Sequence, residues 1–354
     1  MNAIDSLRAF LPDEQTAALI TSDVNRRYLS GFESSAGAVL VTKDSARLLL
    51  DFRYYEAACK QVGAPMEVQR FDRLTVDLNK LFSEHGIKSV MVEDESLTVA
   101  QFNEYKALLT PELIAEGLSG KLSELRMIKT PGELEKIITA QRITERAYNE
   151  VLNYLKPGVT EREIAVELEH LIKKYGGERV AFDLICITGA NTSLPHGVPG
   201  DRVVSEGDFF TFDIGSVYEG YHSDMTRTVA VGSASDDMRE IYDIVLQAHR
   251  KAQTVIAPGT KACDVDKAAR DHIESRGYGE YFGHSTGHGV GMEIHEAPYV
   301  SKTSQTVLAD GMVITDEPGI YLPGRFGVRI EDMFSVNGGE PVDLAQIGKE
   351  LLIV

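Results

Sequence analysis

The first third of the chain alternates short apolar runs with stretches of helical periodicity. Residues 39–42, 48–51 and 89–93 are apolar and β-prone and read as strands; residues 52–62 and 74–86 read as helices. This is an α/β pattern. A longer helix follows, and its start signal is Thr130-Pro131-Gly132-Glu133: a capping Thr, Pro at the first helical position, Glu at the third. Leu134, Ile137, Ile138, Tyr148, Val151, Leu152 and Leu155 then fall on one face, and Pro157-Gly158 ends the run. A domain boundary is expected just before this helix, near residue 122, giving an α/β domain over 1–122 and a second domain over 123–354.

The second domain repeats itself. Leu155-Lys-Pro-Gly-Val-Thr160 precedes a capped amphipathic stretch ending at Gly176-Gly177; Ile256-Ala-Pro-Gly-Thr260 precedes another ending at Gly277. Glu206-Gly207 opens EGDFFTFDIG and Asp310-Gly311 opens DGMVITDEPG, each with an acid six positions after the glycine, Asp213 and Glu317. The offsets, 101 residues at Pro-Gly and 104 at the glycine, are too long for a solenoid. They predict a duplicated α+β half-domain with pseudo-twofold symmetry. A site where the halves meet would draw carboxylates from both.

Each copy also reads as a hairpin. In the first, a turn midpoint between Tyr218 and Glu219 sets Asp213 opposite Asp224, with Cβ atoms about 5 Å apart. In the second, a midpoint at Gly324 sets Glu317 opposite Glu331, with Arg329 on the same strand face as Glu331. Facing carboxylates repel unless a cation lies between them. Any one of these acids alone would read as a solvated surface group. Acids at the ends of apolar strands, however, are seldom left without a partner. Between the hairpins lies HSTGHGVGMEIHE, residues 284–296, which concentrates three of the nine histidines among three glycines. Glycines admit a close ligand, and imidazole suits divalent ions and proton transfer.

Composition narrows the classes. At 354 residues the chain exceeds one core, so two domains are expected. Its net charge of −18 argues against nucleic acid and against an anionic membrane surface. Three scattered cysteines form no C-x-x-C pair, which fits a reducing compartment. The start MNAIDSLRAF lacks the pattern of a signal peptide, and no run of 18 apolar residues occurs, so a cytoplasmic protein is expected.

HSTGHGVGMEIHE, with FDIG, SDMTRT, EPGIY and RIEDM in that order, resembles the pita-bread metallopeptidases, which include prolidase and aminopeptidase P. YLSGFESSAGAVLV and LLLDFRYYEAA resemble the creatinase-type N-terminal domain, with Phe52 where that domain often has a small residue. The resemblance covers the whole chain. It implies an α/β N-terminal domain followed by an α+β pita-bread domain. It further implies two divalent cations, Mn²⁺ first and Co²⁺ or Zn²⁺ as alternatives. Asp213 would chelate one cation, Asp224 and Glu331 would bridge both, and His288 and Glu317 would complete the second. His196, His284 and His295 would lie near the substrate, His295 stabilising the oxyanion. Arg329 would support the site from behind, and Glu317 would shuttle the proton. The implied reaction is hydrolysis of the bond preceding proline, in Xaa-Pro dipeptides or longer Xaa-Pro peptides, by a hydroxide shared between the cations. The implied assembly is a homodimer. Asp316 departs from the pattern, since the family commonly has an apolar residue there. Three other readings fit the fold. A creatinase-like hydrolase works without metal but lacks the full acid set. A methionine aminopeptidase usually lacks the first 120 residues. A non-catalytic peptide-binding module would purify without stoichiometric metal.

Overall fold

The computed structural model describes residues 2–354, which form two compact units divided between Arg126 and Met127. In the first unit the strands are β1 (Thr16–Ile20), β2 (Ala38–Val41), β3 (Ala46–Leu50), β4 (Glu67–Arg70), β5 (Ser89–Val92) and β6 (Glu112–Ile114). They form one six-stranded sheet in the order β4-β3-β2-β1-β5-β6. The outer pairs run parallel, and the β2–β3 hairpin makes the centre antiparallel. The helices are α1 (Ala3–Phe10), α2 (Asp23–Ser30), α3 (Phe52–Gln61), α4 (Leu74–Glu84), α5 (Val99–Leu108) and α6 (Leu118–Met127). Every residue of β1 is buried, because both sheet faces are covered. Ala18 and Ile20 enter one core, and Ala17 and Leu19 the other. Helix α6 runs through the boundary expected near residue 122, since its Leu118 and Leu122 complete the first of these cores.

The second unit opens with α7 (Pro131–Val151). The Thr130 side chain accepts from the Glu133 N–H while the Glu133 carboxylate bonds back to Thr130, a reciprocal cap. The helix stops at Val151, well before Pro157, and Leu155 reaches the same core from the following turn. With α8 (Glu161–Lys174) it covers an antiparallel sheet of β8 (Ile185–Thr188), β9 (Phe209–Ile214) and β12 (Met225–Ala230). The second copy pairs α9 (Asp236–Gln253) and α10 (Ala262–Ser275) with β13 (Gly287–Gly289), β15 (Val313–Asp316) and β18 (Asp332–Ser335). β14 (Glu296–Val300) and β19 (Val342–Asp343) extend that sheet at its edges. The order β8-β9-β12 is matched by β13-β15-β18, and α8 and α10 are 14 residues each. The chain thus has the expected architecture: an α/β N-terminal domain, then a pita-bread domain with an internal repeat. The two copies join where the Glu331 N–H donates to the Thr226 carbonyl at 3.1 Å. Among the described residues no helix is long and apolar enough to cross a membrane.

Candidate metal centre

Strand alternation delivers the acids to one cleft. In β9, Phe210, Phe212 and Ile214 enter the core beneath α7 and α8, so Thr211 and Asp213 face the other way. In β12, Met225 and Val229 enter that core, leaving Thr226 and Thr228 on the cleft side, and Asp224 precedes them. In β15 and β18, Ile314 and Phe334 pack into the second core, so Glu317 and Glu331, which flank these strands, turn to the cleft.

The first hairpin departs from the expected register. Its turn centres on Glu219 and Gly220, both with positive φ (45° and 83°), a backbone whose twist suits a two-residue hairpin. It joins the short strands β10 (Ser216–Tyr218) and β11 (Tyr221–His222). Gly220 supplies the positive φ one residue later than expected. Asp213 therefore lies opposite Thr226, not Asp224. Asp224 sits one pleat repeat along on the same face. The second hairpin, β16 (Gly319–Leu322) with β17 (Phe326–Arg329), has Leu322 opposite Phe326 and its midpoint at Gly324. That register sets Glu317 opposite Glu331. There the ladder opens: the Glu317 N–H donates to the Thr286 carbonyl (2.8 Å) and Glu331 turns to Thr226. His288 is brought in by β13, whose glycines admit close neighbours. A Cβ at Gly287 would lie 2.0 Å from the Thr315 carbonyl oxygen, and one at Gly289 would lie 2.3 Å from that of Ala297.

Asp224, His288 and Glu331 offer ligand atoms within 4.8 Å of one another. His288 Nε2 is 3.6 Å from Asp224 Oδ2 and 3.4 Å from Glu317 Oε1. Its Nδ1 donates to the Gly289 carbonyl at 3.1 Å, so Nε2 turns a lone pair toward those carboxylates. Burial, with His295 adding to it, lowers the imidazole to about 4 and keeps it neutral. Burial, then Asp213 and Glu317, push the Asp224 carboxyl well above the usual range, and its Oδ1 is buried without a hydrogen-bond partner. Burial, then Asp224, Glu317 and Asp213, do the same to Glu331. Burial pushes Glu317 up to about 8 against the pull of Arg329. Crowded carboxylates beside an imidazole lone pair repel one another, and a divalent cation among them removes the repulsion. Four carboxylates and one imidazole fit a hard or borderline ion.

Arg329 organises the rear of the cleft. Its Nη2 donates to Asp213 Oδ2 (2.5 Å), Nε to Thr226 Oγ1 (3.1 Å), and Nη1 to the Tyr321 hydroxyl (2.8 Å) and the Pro195 carbonyl (3.3 Å). Thr226 Oγ1 donates in turn to Glu331 Oε2 at 2.7 Å. His284 Nδ1 donates to the Ser285 carbonyl (2.7 Å), so its Nε2 accepts from the Tyr321 hydroxyl (2.9 Å). Both of its nitrogens are committed, and burial and then Arg329 lower it to about 4. His295 is exposed and meets the His288 ring edge-on, centroids 4.3 Å apart. All nine residues singled out in the sequence line one cavity of about 420 Å³, His196 among them, and Phe182, Ile185, Ile294 and Tyr299 supply apolar wall. Thr226 and Tyr321 were not anticipated. The signal for Thr226 was its place two residues after Asp224 on one strand face; Tyr321 stood in the EPGIY motif without a role.

Residues 135–338 match metallopeptidase family M24, and residues 4–128 match the Creatinase/Prolidase N-terminal domain. A curated "Xaa-Pro dipeptidase" from Pyrococcus horikoshii is 39% identical over 337 residues, 95% of this chain and 94% of that one. The solved structure of an Xaa-Pro dipeptidase from Bacillus anthracis superposes with a TM-score of 0.95 at 40% identity, covering 99% of each chain. That of an X-Pro aminopeptidase from Thermotoga maritima gives 0.92 at 35% identity, covering 100% of each. With the fold, the cleft and these matches in agreement, the chain belongs to metallopeptidase family M24 and carries the creatinase/prolidase-type domain ahead of its catalytic unit.

Proposed function

We propose that this protein hydrolyses the peptide bond preceding proline, with two divalent cations held by Asp213, Asp224, His288, Glu317 and Glu331. The observation that carries the reading is the buried convergence of Asp224, His288 and Glu331 within 4.8 Å, with an Asp224 oxygen that has no hydrogen-bond partner among the described residues. The proline preference rests on the relatives, which are named for Xaa-Pro dipeptidase and X-Pro aminopeptidase activity. Asp213 would hold one cation, Asp224 and Glu331 would be shared between the two, and His288 with Glu317 would hold the other. Mn²⁺ is the ion we propose, for this oxygen-rich set. Cations bound there supply Lewis acidity and lower the pKa of water. Glu317 takes the proton of the attacking water and passes it to the leaving proline nitrogen, a secondary amine that departs only when protonated. His295, exposed at the cleft mouth, donates to the developing oxyanion. His196 and His284 flank the peptide, and Arg329 keeps Asp213 in place. We further propose a cytoplasmic homodimer; Cys59, Cys186 and Cys263 are free thiols, as a reducing compartment requires.

The test is a matched assay of Xaa-Pro, Xaa-Pro-Yaa and Xaa-Ala peptides with the Mn²⁺-reconstituted protein. Turnover confined to the proline peptides supports the reading, and the ratio of the first two separates dipeptidase from aminopeptidase. Asp224→Ala is expected to abolish turnover and leave the fold intact. A variant with near-normal turnover and metal content contradicts the bridging role.

A further inference from the structure

The strands that bear Glu317 and Glu331 carry a second pair of carboxylates on their other face. Asp316 and Asp332 are direct partners across β15 and β18, one residue from the two glutamates. Both are fully buried, facing α9 rather than the cleft. Like charges directly opposed on neighbouring strands push those strands apart, and burial removes the water that would screen them. His249 of α9 occupies the space between them, itself 0% exposed. Its Nδ1 is 3.0 Å from Asp316 Oδ2 and its Nε2 is 3.3 Å from Asp332 Oδ2; Nδ1 also meets the Asp316 carbonyl at 3.1 Å. The Nδ1–H donates to the Asp316 carbonyl, and the two carboxylates approach the ring at ion-pair distance, one on the side of each nitrogen.

Asp332 has other cations, Arg227 Nη2 at 2.7 Å and Lys349 Nζ at 2.7 Å, and Lys349 also reaches Asp343 at 2.6 Å. Asp316 has no such reserve: among the described residues His249 is the one cationic side chain within ion-pair distance of its carboxylate. Taking the ring as imidazolium balances the group, with Asp316, Asp332 and Asp343 against His249, Arg227 and Lys349.

We infer that His249 is a positioning residue for the metal centre. It ties Asp316 to Asp332 behind the strands and so sets the spacing of Glu317 and Glu331 in front. The inference rests on reading those glutamates as metal ligands. Adjacent residues on a strand move together, so a splayed rear pair opens the front pair, and metal sites tolerate only about 0.5 Å of such drift.

The experiment measures Mn²⁺ affinity by the electron paramagnetic resonance of free Mn²⁺, alongside the melting temperature of each metal-free protein. His249→Gln is expected to weaken Mn²⁺ binding about tenfold or more. His249→Gln combined with Asp316→Asn, which removes the opposed charge, is expected to recover most of that loss. Wild-type affinity in folded His249→Gln, or a double variant no better than the single, overturns the inference. A lowered melting temperature with unchanged affinity counts as overturning it too, since that is what a merely structural histidine would give. Should His249→Gln alone not fold, the double variant is compared with wild type: similar affinity supports the inference, and a tenfold loss overturns it. If wild type itself binds no Mn²⁺, the ligand reading fails instead, so the two failures are distinguishable.

Discussion

Glu317 shows what a single side chain contributes to the metal-free protein. Burial pushes its carboxyl from 4.5 up to about 8, and Asp224 and Glu331 move in the same direction. A carboxyl whose pKa rises on folding holds its proton more tightly in the folded chain. That stability is complete below the unfolded value and is lost as pH climbs through the folded one. The metal-free protein is therefore expected to lose melting temperature between pH 4.5 and about 8. With Mn²⁺ bound the loss should vanish, because the cation takes the place of the proton. Calorimetry in chelator and in Mn²⁺ across that range checks it; a metal-free melting point that stays flat or climbs would count against the crowded cluster. Arg329 gives a second test at this scale. Its guanidinium serves four acceptors at once, including Asp213 and Thr226. Arg329→Lys keeps the charge but not the planar fork, and should cost about 10- to 100-fold in Mn²⁺ affinity or turnover. Equal values for both proteins would show that charge alone suffices.

At the scale of elements, the narrow slot around β13 is the most exacting feature. With a Cβ at position 287 only 2.0 Å from the Thr315 carbonyl oxygen, Gly287→Ala must move β13 or β15. Overpacking of this kind costs about 1–3 kcal/mol, and here it also displaces His288. Denaturant melts should show the loss, and Mn²⁺ affinity should fall with it; an alanine variant of wild-type affinity would mean that the strands give way elsewhere. These elements were unequally legible in the sequence. The repeat, the Thr130 cap and the second hairpin were readable because each is announced locally, by spacing, by capping chemistry and by Gly324. The first hairpin turns one position later than its spacing predicts, since either side of Glu219 suits a turn and the positive φ at Gly220 selects the later one. The helices α1, α2, α5 and α6, 8 to 10 residues each, are too short for a long amphipathic stripe to announce them. Neither Arg329's grip on Asp213 nor His249's place behind β15 was visible, because both join residues more than 60 positions apart.

For the whole molecule, the question is which part of the chain a metal centre needs. The five proposed ligands lie between Asp213 and Glu331, within the unit that begins at Met127. Two of them, Asp213 and Asp224, come from the first copy of the repeat, and His288, Glu317 and Glu331 come from the second. Each copy has its own core beneath its own helix pair, yet neither carries enough donors for two cations. A fragment spanning 127–354 keeps both cores and all five ligands. It is expected to melt cooperatively and to bind Mn²⁺ within about tenfold of the full chain. A fragment that ends at residue 232, after β12, keeps only two carboxylates and should bind none tightly. Calorimetry and Mn²⁺ resonance on the two fragments test this. Full-strength binding by the shorter fragment would place the ions within one half and refute a centre shared between copies. Loss of binding by the longer, folded fragment would show that residues of the first unit are needed to shape the cleft.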